Sequence, residues 1–346
     1  MNNMNMEQVP DPRQAPALRW GILGPGGIAR RFAREIPAHT ASRIVAVGSR
    51  DLGRAQRFVA ENLPDQGVRA YGSYEELVAD PVIDAVYVSS PHSEHSRHAI
   101  LALEAGKPVL VEKAFALNAG QAEQVFSVAA RQHLFVMEAM WSRFLPHYAA
   151  IHRLVRSGEL GQVRAITAVH AQALDLDPAK RMMNPALGGG ALLDLGIYPL
   201  SLFHFLCGVP DRIIATGVRT STGVDLRETI TCQYGDTLAV ALDDMEVAAK
   251  CGVQIVGTEG RLEIDDWFYT PRQVTFTADG GTPYVVIGPV EGGFQFEAAE
   301  AARCIAAGLA ESPLMTWQAT KEVLGMADEV RRQLTVVYPG EQAGVQ

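Results

Sequence analysis

The amino-acid sequence predicts an α/β protein with two domains: a doubly wound parallel sheet, then an α+β domain with a mostly antiparallel sheet. Three observations predict this class. The 346 residues exceed the length, about 250 to 300 residues, at which one hydrophobic core stops growing. Short apolar runs alternate with amphipathic stretches in the first part of the chain, and longer alternating runs dominate the second part. We therefore predict domains at residues 17–140 and 141–340, after a flexible tail over residues 1–16.

Composition and charge exclude several classes of protein. The chain is 48% hydrophobic and 20% charged, as is typical of soluble globular proteins. Its net charge of −9 argues against binding to nucleic acid or to an anionic membrane, because either needs a basic surface. No apolar run approaches the roughly 18 residues of a membrane span, and the N-terminus lacks a signal-peptide pattern. The four cysteines form no CxxC pair, so we expect reduced thiols and a cytoplasmic protein.

The first domain begins with a strand, a glycine turn and a helix: RWGILG, PGG and IARRFAREIPAH. The same alternation then repeats, with Asp51 placed to cap the second helix. We predict further strands at 43–50, 83–90, 108–113 and 134–140, helices at 51–62, 95–107 and 118–133, and a strand–helix unit at 70–80. This is the βαβ pattern of a parallel sheet.

The second domain begins with a helix in 144–161. Hairpin-like turns such as QYGDT and GTEGR separate several of the apolar runs that follow. We predict strands at 162–173, 211–220, 227–234, 237–247, 251–256, 261–265 and 273–278, then two helices within 292–310 and 316–334. Consecutive strands joined by tight turns indicate antiparallel pairing.

The first turn of the chain carries a dinucleotide fingerprint. GPGGIA (24–29) fits GxGxxA, follows a strand and precedes a helix, as in Rossmann-type domains. The glycines permit a tight turn and close approach of a pyrophosphate to the helix N-terminus. We therefore predict that Gly24, Gly26, Gly27 and Ile28 bind the cofactor.

The end of the second strand indicates which dinucleotide binds. An acidic residue at this point usually accepts hydrogen bonds from the ribose of NAD, whereas this chain has Ser49 and Arg50. A hydroxyl and a guanidinium suit a 2′-phosphate, so we predict NADP(H) in preference to NAD(H). In the alternative interpretation, Arg50 is a solvated loop cation and Asp51 binds the ribose.

A histidine-rich segment, SSPHSEH (89–95), follows the predicted strand at 83–90. Because ligands bind at the carboxyl ends of parallel strands, we predict Ser90, Pro91 and His95 at the cofactor. His92, His95 and His98 form a weak metal pattern without a carboxylate partner, and solvated or helix-capping histidines are the commoner case. No metal is predicted.

Glu112 and Lys113 end the next strand, again on the ligand edge, so we predict that both contact the cofactor. An exposed cation is the simple explanation of Lys113. In a cleft beside a nicotinamide, the same lysine could lower the pKa of a tyrosine and bind the reacting oxygen. The residues alone leave both interpretations open.

A second glycine run, GGGALLDLGIYPL (188–200), places Asp194 and Tyr198 four residues apart, on one face of a predicted helix behind a flexible glycine entry. Tyr198 is a candidate proton donor for a carbonyl that receives hydride, with Lys113 lowering its pKa. The alternative is a glycine loop for tight domain packing, with Tyr198 in the core and Asp194 as a cap. Pro199 indicates that the helix is kinked or begins later.

Four motifs occur together in this order: GILGPGGIA, EKAFALNAGQA, MEAMWSRFLP and GGGALLDLGIYPL. With them the chain resembles the glucose–fructose oxidoreductase, inositol dehydrogenase and MocA family, from about residue 18 to the terminal VVYP. The resemblance implies a Rossmann domain and an open antiparallel sheet whose exposed face often mediates dimerisation. It therefore implies a homo-oligomer, either a dimer or a tetramer.

The resemblance also implies roles for individual residues. Lys113 and Tyr198 are the implied catalytic pair, with Asp194 orienting a hydroxyl or the tyrosine. Trp141 and Arg143 lie in the segment that runs past the nicotinamide in relatives and are assigned to cofactor or substrate. The family has proline after the lysine where this chain has Ala114, which leaves the backbone after Lys113 freer.

The expected activity is an NADP(H)-dependent interconversion of CH–OH and C=O on a sugar, polyol or cyclic diol. We predict that Lys113, Arg181, Asp194 and Tyr198 contact the substrate, and that residues 175–185 and the region around Trp267 shape the pocket. Two alternatives remain: a glycoside hydrolase that oxidises the sugar transiently with bound NAD, and a nucleotide-binding regulator without catalysis.

Overall fold

Two β-sheets organise the chain in the computed structural model, which describes residues 9–270 and 272–341. The first sheet has six parallel strands in the order β3-β2-β1-β4-β5-β6. The strands are β1 (Arg19–Leu23), β2 (Arg43–Gly48), β3 (Arg69–Tyr71), β4 (Ala85–Val88), β5 (Val109–Glu112) and β6 (Val136–Ala139). Successive strands are added on one side of β1 up to β3 and on its other side from β4 onward. Ligands of doubly wound folds bind at this switch point, between β1 and β4.

Five helices connect these strands: α1 (Gly27–His39), α2 (Leu52–Asn62), α3 (Tyr74–Ala79), α4 (His95–Glu104) and α5 (Ala119–Gln132). Three of them begin at side-chain caps, because Asp51, Ser73 and Asn118 accept backbone N–H groups at the starts of α2, α3 and α5. The strands β4 to β6 are buried along their whole length, as expected for a sheet covered on both faces.

The second sheet has eight strands in the order β14-β13-β12-β11-β7-β10-β9-β8. Its strands are β7 (Val163–Ala171), β8 (Arg212–Arg219), β9 (Asp225–Tyr234), β10 (Thr237–Asp244), β11 (Gly252–Gly257), β12 (Gly260–Asp265), β13 (Val274–Ala278) and β14 (Tyr284–Ile287). The pair β7–β10 is parallel, and every other neighbouring pair is antiparallel. The predicted fold class is therefore confirmed.

One face of the second sheet is covered and the other is open. Along β10, Ala239 and Ala241 are buried, whereas Leu238 and Leu242 are exposed. The buried face packs against α7 (Ile197–Cys207), which follows α6 (Pro146–Ser157) in the chain. The open face carries further exposed apolar side chains on the edge strand β8, namely Ile214 and Val218.

The last two helices, α8 (Phe294–Ala306) and α9 (Trp317–Leu334), return to the first sheet. Helix α8 packs against α1, and α9 packs against α5 as well as against α7 and β8. The backbone N–H of Val136 donates to the carbonyl of Ala310, and the indole of Trp317 donates to the carbonyl of Val136. The end of the chain therefore completes the packing around the first sheet.

Three features differ from the sequence-based expectations. Strand β14 was not predicted. Its four residues, YVVI, are too few to show an alternation of apolar and polar side chains. Of the predicted tail, residues 1–8 lie outside the described residues, while Pro12–Gln14 form a 3₁₀ turn and Ala15 is buried, so this part belongs to the fold. Residues Pro185–Cys207 are long and apolar enough to cross a membrane, with a mean hydropathy of 1.4, yet 78% of the apolar window is buried inside the protein.

Candidate active site

A cleft of about 600 Å³ lies at the carboxyl ends of β1, β4 and β5, and residues of both sheets' domains line it. Most of the predicted site residues lie in this cleft. They are Gly24, Gly26, Gly27, Ile28, Arg50, Ser90, Pro91, His95, Glu112, Lys113, Arg181, Asp194 and Tyr198. Ser49, Trp141 and Arg143 do not line it.

The glycine loop between β1 and α1 has the geometry of an anion cradle. Gly24 has φ +97, and an added Cβ would lie 3.0 Å from the backbone nitrogen of Ser90, so only glycine fits there. A Cβ on Gly27 would have no neighbour within 4 Å, which leaves space in front of the helix. Helix α1 begins at Gly27 without a side-chain cap, and its first N–H groups are available to a ligand. These features fit the pyrophosphate of a dinucleotide.

The residues after β2 favour the interpretation with Arg50 over the one with Asp51. Arg50 lines the cleft, whereas the carboxylate of Asp51 accepts a hydrogen bond from the backbone of Arg54 at 2.6 Å and caps α2. Ser49 was predicted to bind the cofactor, but it is buried and its hydroxyl accepts from the backbone of Asp51 at 3.3 Å. Arg54 also lines the cleft and donates to the carbonyl of Pro25 at 3.3 Å. Arg54 was not predicted to bind the cofactor, although it lies only four residues after Arg50.

His95 joins the loops that follow β4 and β5. Its Nε2 lies 2.7 Å from the carbonyl of Ser90, and its Nδ1 lies 2.8 Å from the carbonyl of Ala114. Burial lowers the pKa of His95 to about 4, so the ring is neutral near pH ~7 and donates to one of the two carbonyls at a time. Ala114 is fully buried, and the peptide bond between Lys113 and Ala114 is cis. The contact with His95 and the burial of Ala114 hold the backbone after Lys113 in place, although proline is absent here.

The other histidines of this segment contact protein groups. His92 Nδ1 lies 3.0 Å from the carbonyl of Gly188, and burial lowers the pKa of His92 to about 3. His98 Nδ1 lies 2.8 Å from the hydroxyl of Ser90. Within residues 9–270 and 272–341, no group of three His, Cys, Asp or Glu side chains is arranged to hold a metal ion.

Asp194 lies between two cations. Its Oδ1 is 3.0 Å from an Arg181 nitrogen and 3.4 Å from Lys113 Nζ, and Lys113 also donates to the Asp194 carbonyl at 2.8 Å. Burial alone would raise the pKa of Asp194, but the charges of Lys113 and Arg181 lower it well below its usual range. Asp194 is therefore a carboxylate at every physiological pH, and it holds the Lys113 ammonium within the cleft.

Tyr198 is almost completely buried and stands beside this ion pair. Lys113 Nζ lies 4.9 Å from the centre of the Tyr198 ring, against its face, and the Tyr198 hydroxyl accepts a hydrogen bond from Trp141 Nε1 at 3.0 Å. Burial, and then the nearby Glu112, raise the pKa of Tyr198 well above its usual value. The expectation that Lys113 lowers this pKa is not met, because Lys113 is bonded to Asp194 rather than to the phenol oxygen.

Two residues that were assigned to cofactor or substrate occupy other places. Trp141 lies behind Tyr198 and reaches the cleft only through its hydrogen bond to that hydroxyl. Arg143 is 1% exposed, and its guanidinium donates to the hydroxyl and the carbonyl of Ser201 at 2.9 and 3.0 Å. The assignment of Arg143 to a ligand is therefore wrong, since its donors are engaged in the core between the 3₁₀ turn Trp141–Phe144 and α7.

The helix that carries Asp194 and Tyr198 is irregular. Leu192–Gly196 form a π-helical turn that leads directly into α7. Pro199 has no N–H for the carbonyl of Leu195, and His170 Nδ1 lies 3.0 Å from that oxygen instead. Both Asp194 and Tyr198 line the cleft, although the residues between them are not in a regular α-helix. π-helical turns of this kind often occur at functional sites.

Four residues from the second domain line the cleft without having been predicted: His170, Gln172, Leu195 and Tyr269. His170 and Gln172 leave the end of β7, and the Gln172 side-chain nitrogen lies 2.7 Å from His170 Nε2 and 3.0 Å from the Tyr269 hydroxyl. The ring of Tyr269 stacks on that of Tyr198 with centroids 4.3 Å apart. Tyr269 lies in the region around Trp267 that was expected to shape the pocket. His170 and Gln172 have no local sequence signal, because the strand pairing of β7 alone brings them to the cleft.

The second glycine run is packed rather than flexible. Gly188, Gly189 and Gly190 are buried, and the carbonyl of Gly189 accepts a hydrogen bond from the Tyr338 hydroxyl at 2.8 Å. Gly190 has φ +115, and an added Cβ would collide with the carboxylate of Asp225. The glycines therefore seat the helix start against its neighbours, which is the alternative interpretation of this run.

Glu112 is a buried acid at the floor of the cleft. It accepts hydrogen bonds from the Tyr87 hydroxyl and, at 3.2 Å, from the backbone of Lys113. Burial raises the pKa of Glu112 to about 7 despite these donors. It follows that Glu112 changes charge near neutral pH, beside Lys113 and Tyr198.

Sequence comparison assigns both parts of the chain to one family. Residues 18–140 match the oxidoreductase family with an NAD-binding Rossmann fold, and residues 148–263 match the GFO/IDH/MocA C-terminal domain. These two matches cover the glycine loop, Lys113 and Tyr198.

Similar proteins extend over nearly the whole chain. A trans-1,2-dihydrobenzene-1,2-diol dehydrogenase from Danio rerio is 38% identical, over 93% of this chain and 98% of that protein. A D-xylose 1-dehydrogenase (NADP(+)) from Hypocrea jecorina is 35% identical, over 93% of each chain. The structure of the 3-ketoreductase KijD10 from Actinomadura kijaniata, with NADP and TDP-benzene, superposes with a TM-score of 0.81 at 25% identity, over 91% of this chain and 97% of that one. The chain therefore belongs to the Gfo/Idh/MocA oxidoreductase family.

Proposed function

We propose that the protein is an NADP(H)-dependent oxidoreductase that interconverts a CH–OH group and a carbonyl on a sugar, polyol or cyclic diol. The observation that carries the proposal is the meeting of Lys113, Asp194 and Tyr198 with the glycine loop in one cleft. The names of the two sequence relatives, a D-xylose dehydrogenase that uses NADP(+) and a dihydrodiol dehydrogenase, support the substrate class and the cofactor.

The cofactor end of the cleft fits a phosphorylated dinucleotide. The open N-terminus of α1 suits the pyrophosphate, and Arg50 and Arg54 line the adjoining part of the cleft, where two guanidinium groups suit a 2′-phosphate. When bound, NADP+ or NADPH would supply the acceptor or donor of hydride.

The residues around the substrate position have complementary proposed roles. Tyr198 holds or releases the proton of the substrate oxygen at its Oη. Lys113 keeps a positive charge beside that oxygen and is oriented by Asp194 through contacts at 2.8 and 3.4 Å. Arg181, whose guanidinium has donors beyond the one that meets Asp194, binds substrate hydroxyls at the mouth of the cleft.

The proposal extends to the domains and the assembly. Residues 17–140 form the dinucleotide-binding domain, and residues 141–340 form the substrate-binding and dimerisation domain. The exposed apolar residues of the open sheet face, Ile214, Val218, Leu238 and Leu242, support a homo-oligomer formed through that face. We place the protein in the cytoplasm, in keeping with four cysteines that form no disulfide.

Initial rates of NADPH formation test the proposed function. The substrates are D-xylose, D-glucose, myo-inositol and a trans-dihydrodiol, each with NADP+ and with NAD+, for the wild type and Tyr198→Phe. We expect turnover with at least one substrate, a preference for NADP+, and a loss of about 100-fold or more in kcat for Tyr198→Phe. Release of an aglycone without net NADPH formation would indicate the hydrolase. Nucleotide binding without turnover in either direction would favour the regulator.

A further inference from the structure

The hydroxyl of Tyr198 has one hydrogen-bond partner among the residues that the structure describes, and this partner is the indole of Trp141. We propose that Trp141 is a positioning residue, whose Nε1–H fixes the Tyr198 hydroxyl and stabilises its phenolate while the proton moves. The inference rests on the proposed function, which makes Tyr198 the proton carrier.

The direction of this hydrogen bond leaves the hydroxyl proton of Tyr198 available for transfer. An indole N–H only donates, so the Tyr198 oxygen accepts at 3.0 Å and keeps its own proton free. In the reduction direction the O–H bond of Tyr198 breaks and its proton forms the O–H bond of the product, while the carbonyl carbon takes the hydride that NADPH would supply, which leaves a phenolate. Oxidation is the reverse and starts from the Tyr198 phenolate, after the phenol has lost its proton to solvent. In each direction the anionic oxygen of Tyr198 is stabilised by the N–H that already points at it.

The indole is held so that this N–H cannot turn away. The guanidinium of Arg31 lies 4.3 Å above the Trp141 ring, and the ring of Phe294 meets it edge-on at 5.0 Å. Gly293 has φ +151, and an added Cβ there would collide with the six-membered ring of Trp141. Arg31 is in turn fixed by Glu35 at 2.6 Å. Trp141 is 3% exposed, so little water competes for its N–H.

The other groups around Tyr198 do not contact its oxygen. Lys113 lies against the ring face, and its donors go to Asp194. His170 and Tyr269 face the ring from β7 and from the loop before β13, and Glu112 and Asp194 add negative charge from β5 and from the π-helical turn. Burial, the charge of Glu112 when it is ionised, and the charge of Asp194 all disfavour the phenolate, and the N–H of Trp141 is the direct donor that opposes them.

The variant Trp141→Phe removes the N–H and keeps an aromatic ring. We expect kcat to fall about 10- to 100-fold, as for a lost hydrogen bond to a charged group. We also expect the pH limb of kcat that reports Tyr198 to move up by about one unit, in the direction of a less stable phenolate. The affinity for NADP+, measured by calorimetry, should be unchanged, because Trp141 does not line the cleft.

Two controls separate positioning from simple loss of structure. Trp317→Phe removes an indole hydrogen bond of the same length to the carbonyl of Val136, away from the cleft, and should leave the pH limb in place. In the Tyr198→Phe background, Trp141→Phe should cause no further loss, since its effect runs through the hydroxyl. An unchanged limb in Trp141→Phe, additive losses in the double variant, or weakened NADP+ binding would each overturn the inference.

A measurement without turnover tests the inference even if the proposed activity fails. With ¹⁵N-labelled tryptophan the four indoles give four N–H signals, and Trp141→Phe identifies that of Trp141. Tyr198→Phe should shift this signal and speed its exchange with water, whereas Tyr269→Phe should change it much less, because the Tyr269 hydroxyl bonds to Gln172. If Tyr198→Phe left the chemical shift and the exchange rate of the Trp141 N–H unchanged, the inference would be contradicted. Inactivity of the wild type on every substrate, with this shift present, would contradict only the proposed function.

Discussion

Asp194 is the residue on which the charge balance of the cleft depends. It accepts contacts from Lys113 and Arg181 while it is largely buried, and their removal would leave an unpaired buried carboxylate. The paired arrangement keeps Lys113 aimed across the face of Tyr198. The site thus contains a permanent anion whose function is to orient a cation.

Asp194→Asn should lower both activity and stability. The two cations lose the charge between them, and we expect unfolding to become easier by about 1 to 3 kcal/mol near pH ~7. Because the folded pKa of Asp194 is depressed, its stabilisation is present above the unfolded pKa of about 3.9 and is lost as the pH falls below it. Urea denaturation should therefore show the difference from wild type shrinking below about pH 4. Asp236→Asn, at an exposed pair with Arg164, is the control with little effect, and a pH-independent difference for Asp194→Asn would contradict this account.

Arg50→Ala should weaken NADPH much more than NADH. Arg50 lines the cleft while Asp51 is engaged as a cap, so the expected loss is about 1 to 3 kcal/mol for NADPH alone. Calorimetric titration of both nucleotides measures it, with the exposed Arg332→Ala as a neutral control. Equal losses for the two nucleotides would remove Arg50 from the 2′-phosphate position.

At the scale of elements, the π-helical turn Leu192–Gly196 that carries Asp194 packs against buried acidic side chains of β9 and β10. Asp225 Oδ2 accepts the backbone N–H of Leu192 at 2.5 Å and so caps the helix from β9. Below it, Glu228 and Asp243 lie directly opposite each other on β9 and β10, fully buried, and none of their side-chain oxygens has a hydrogen-bond partner among the described residues. Burial, and then the neighbouring carboxyls, raise the pKa of Glu228 well above its usual range. Burial also raises the pKa of Asp243, so the fold favours the protonated form of both carboxyls.

Glu228→Gln should stabilise the protein increasingly as the pH rises. A raised folded pKa gives stability that is complete below the unfolded pKa of about 4.3 and is lost as the pH increases above it. Glutamine does not titrate, so its advantage should grow by about 1.4 kcal/mol per pH unit, or about 4 kcal/mol between about pH 5 and about pH 8. Thermal or urea unfolding at the two pH values measures it, with the exposed Glu75→Gln as control. A constant or shrinking difference would mean that Glu228 is ionised in the fold.

Gly190→Ala tests whether the second glycine run is needed for packing. Alanine would adopt φ +115 with its Cβ against Asp225, the residue that caps the same helix. We expect a loss of at least about 2 kcal/mol in unfolding free energy together with loss of activity. Gly223→Ala is the matched control, because Gly223 has φ +93 but no atom within 4 Å of the added Cβ, and only the backbone strain of about 1 kcal/mol remains. Similar losses for both variants would show that the contact with Asp225 is unimportant.

Elements were easier to predict than contacts. The strands from β7 to β13 begin and end within three residues of their expected positions, because alternation along each strand is a local signal. The glycine loop, Arg50, Lys113, Asp194 and Tyr198 also followed from the sequence, since each lies at a strand end or in a motif. The packing of α8 and α9 beside the first sheet could not be predicted. An amphipathic pattern shows that a helix has an apolar face, but it does not show which element packs against that face.

The misplaced site residues have a common physical reason. Trp141 and Arg143 lie in a motif beside the cleft, but their side chains point into the core, and a motif does not encode that direction. His170 reaches the cleft through the register of β7 with β10 and β11, which pairs residues far apart in sequence. The same limit applied to Ser49, which is next to a cleft residue and yet buried.

At the scale of the whole molecule, the open face of the second sheet predicts association. Leu242→Arg places a charge in the middle of this face, where the wild type exposes leucine, and should dissociate the oligomer into monomers. Sedimentation velocity measures the change. Val337→Arg, at an equally exposed apolar residue outside the sheet, should leave the assembly intact. A monomeric wild type, or an intact Leu242→Arg oligomer, would exclude this face as the interface.

The return of α8 and α9 to the first sheet sets the order in which the protein can mature on the ribosome. Helices α1 and α5 are made early, but the partners that cover them, from Phe294 onward, are made much later. The first sheet must therefore wait with apolar helix surface exposed until α8 and α9 have been synthesised. A messenger truncated before codon 294 would yield a chain that contains every residue of the cleft and yet becomes a client of chaperones and proteases.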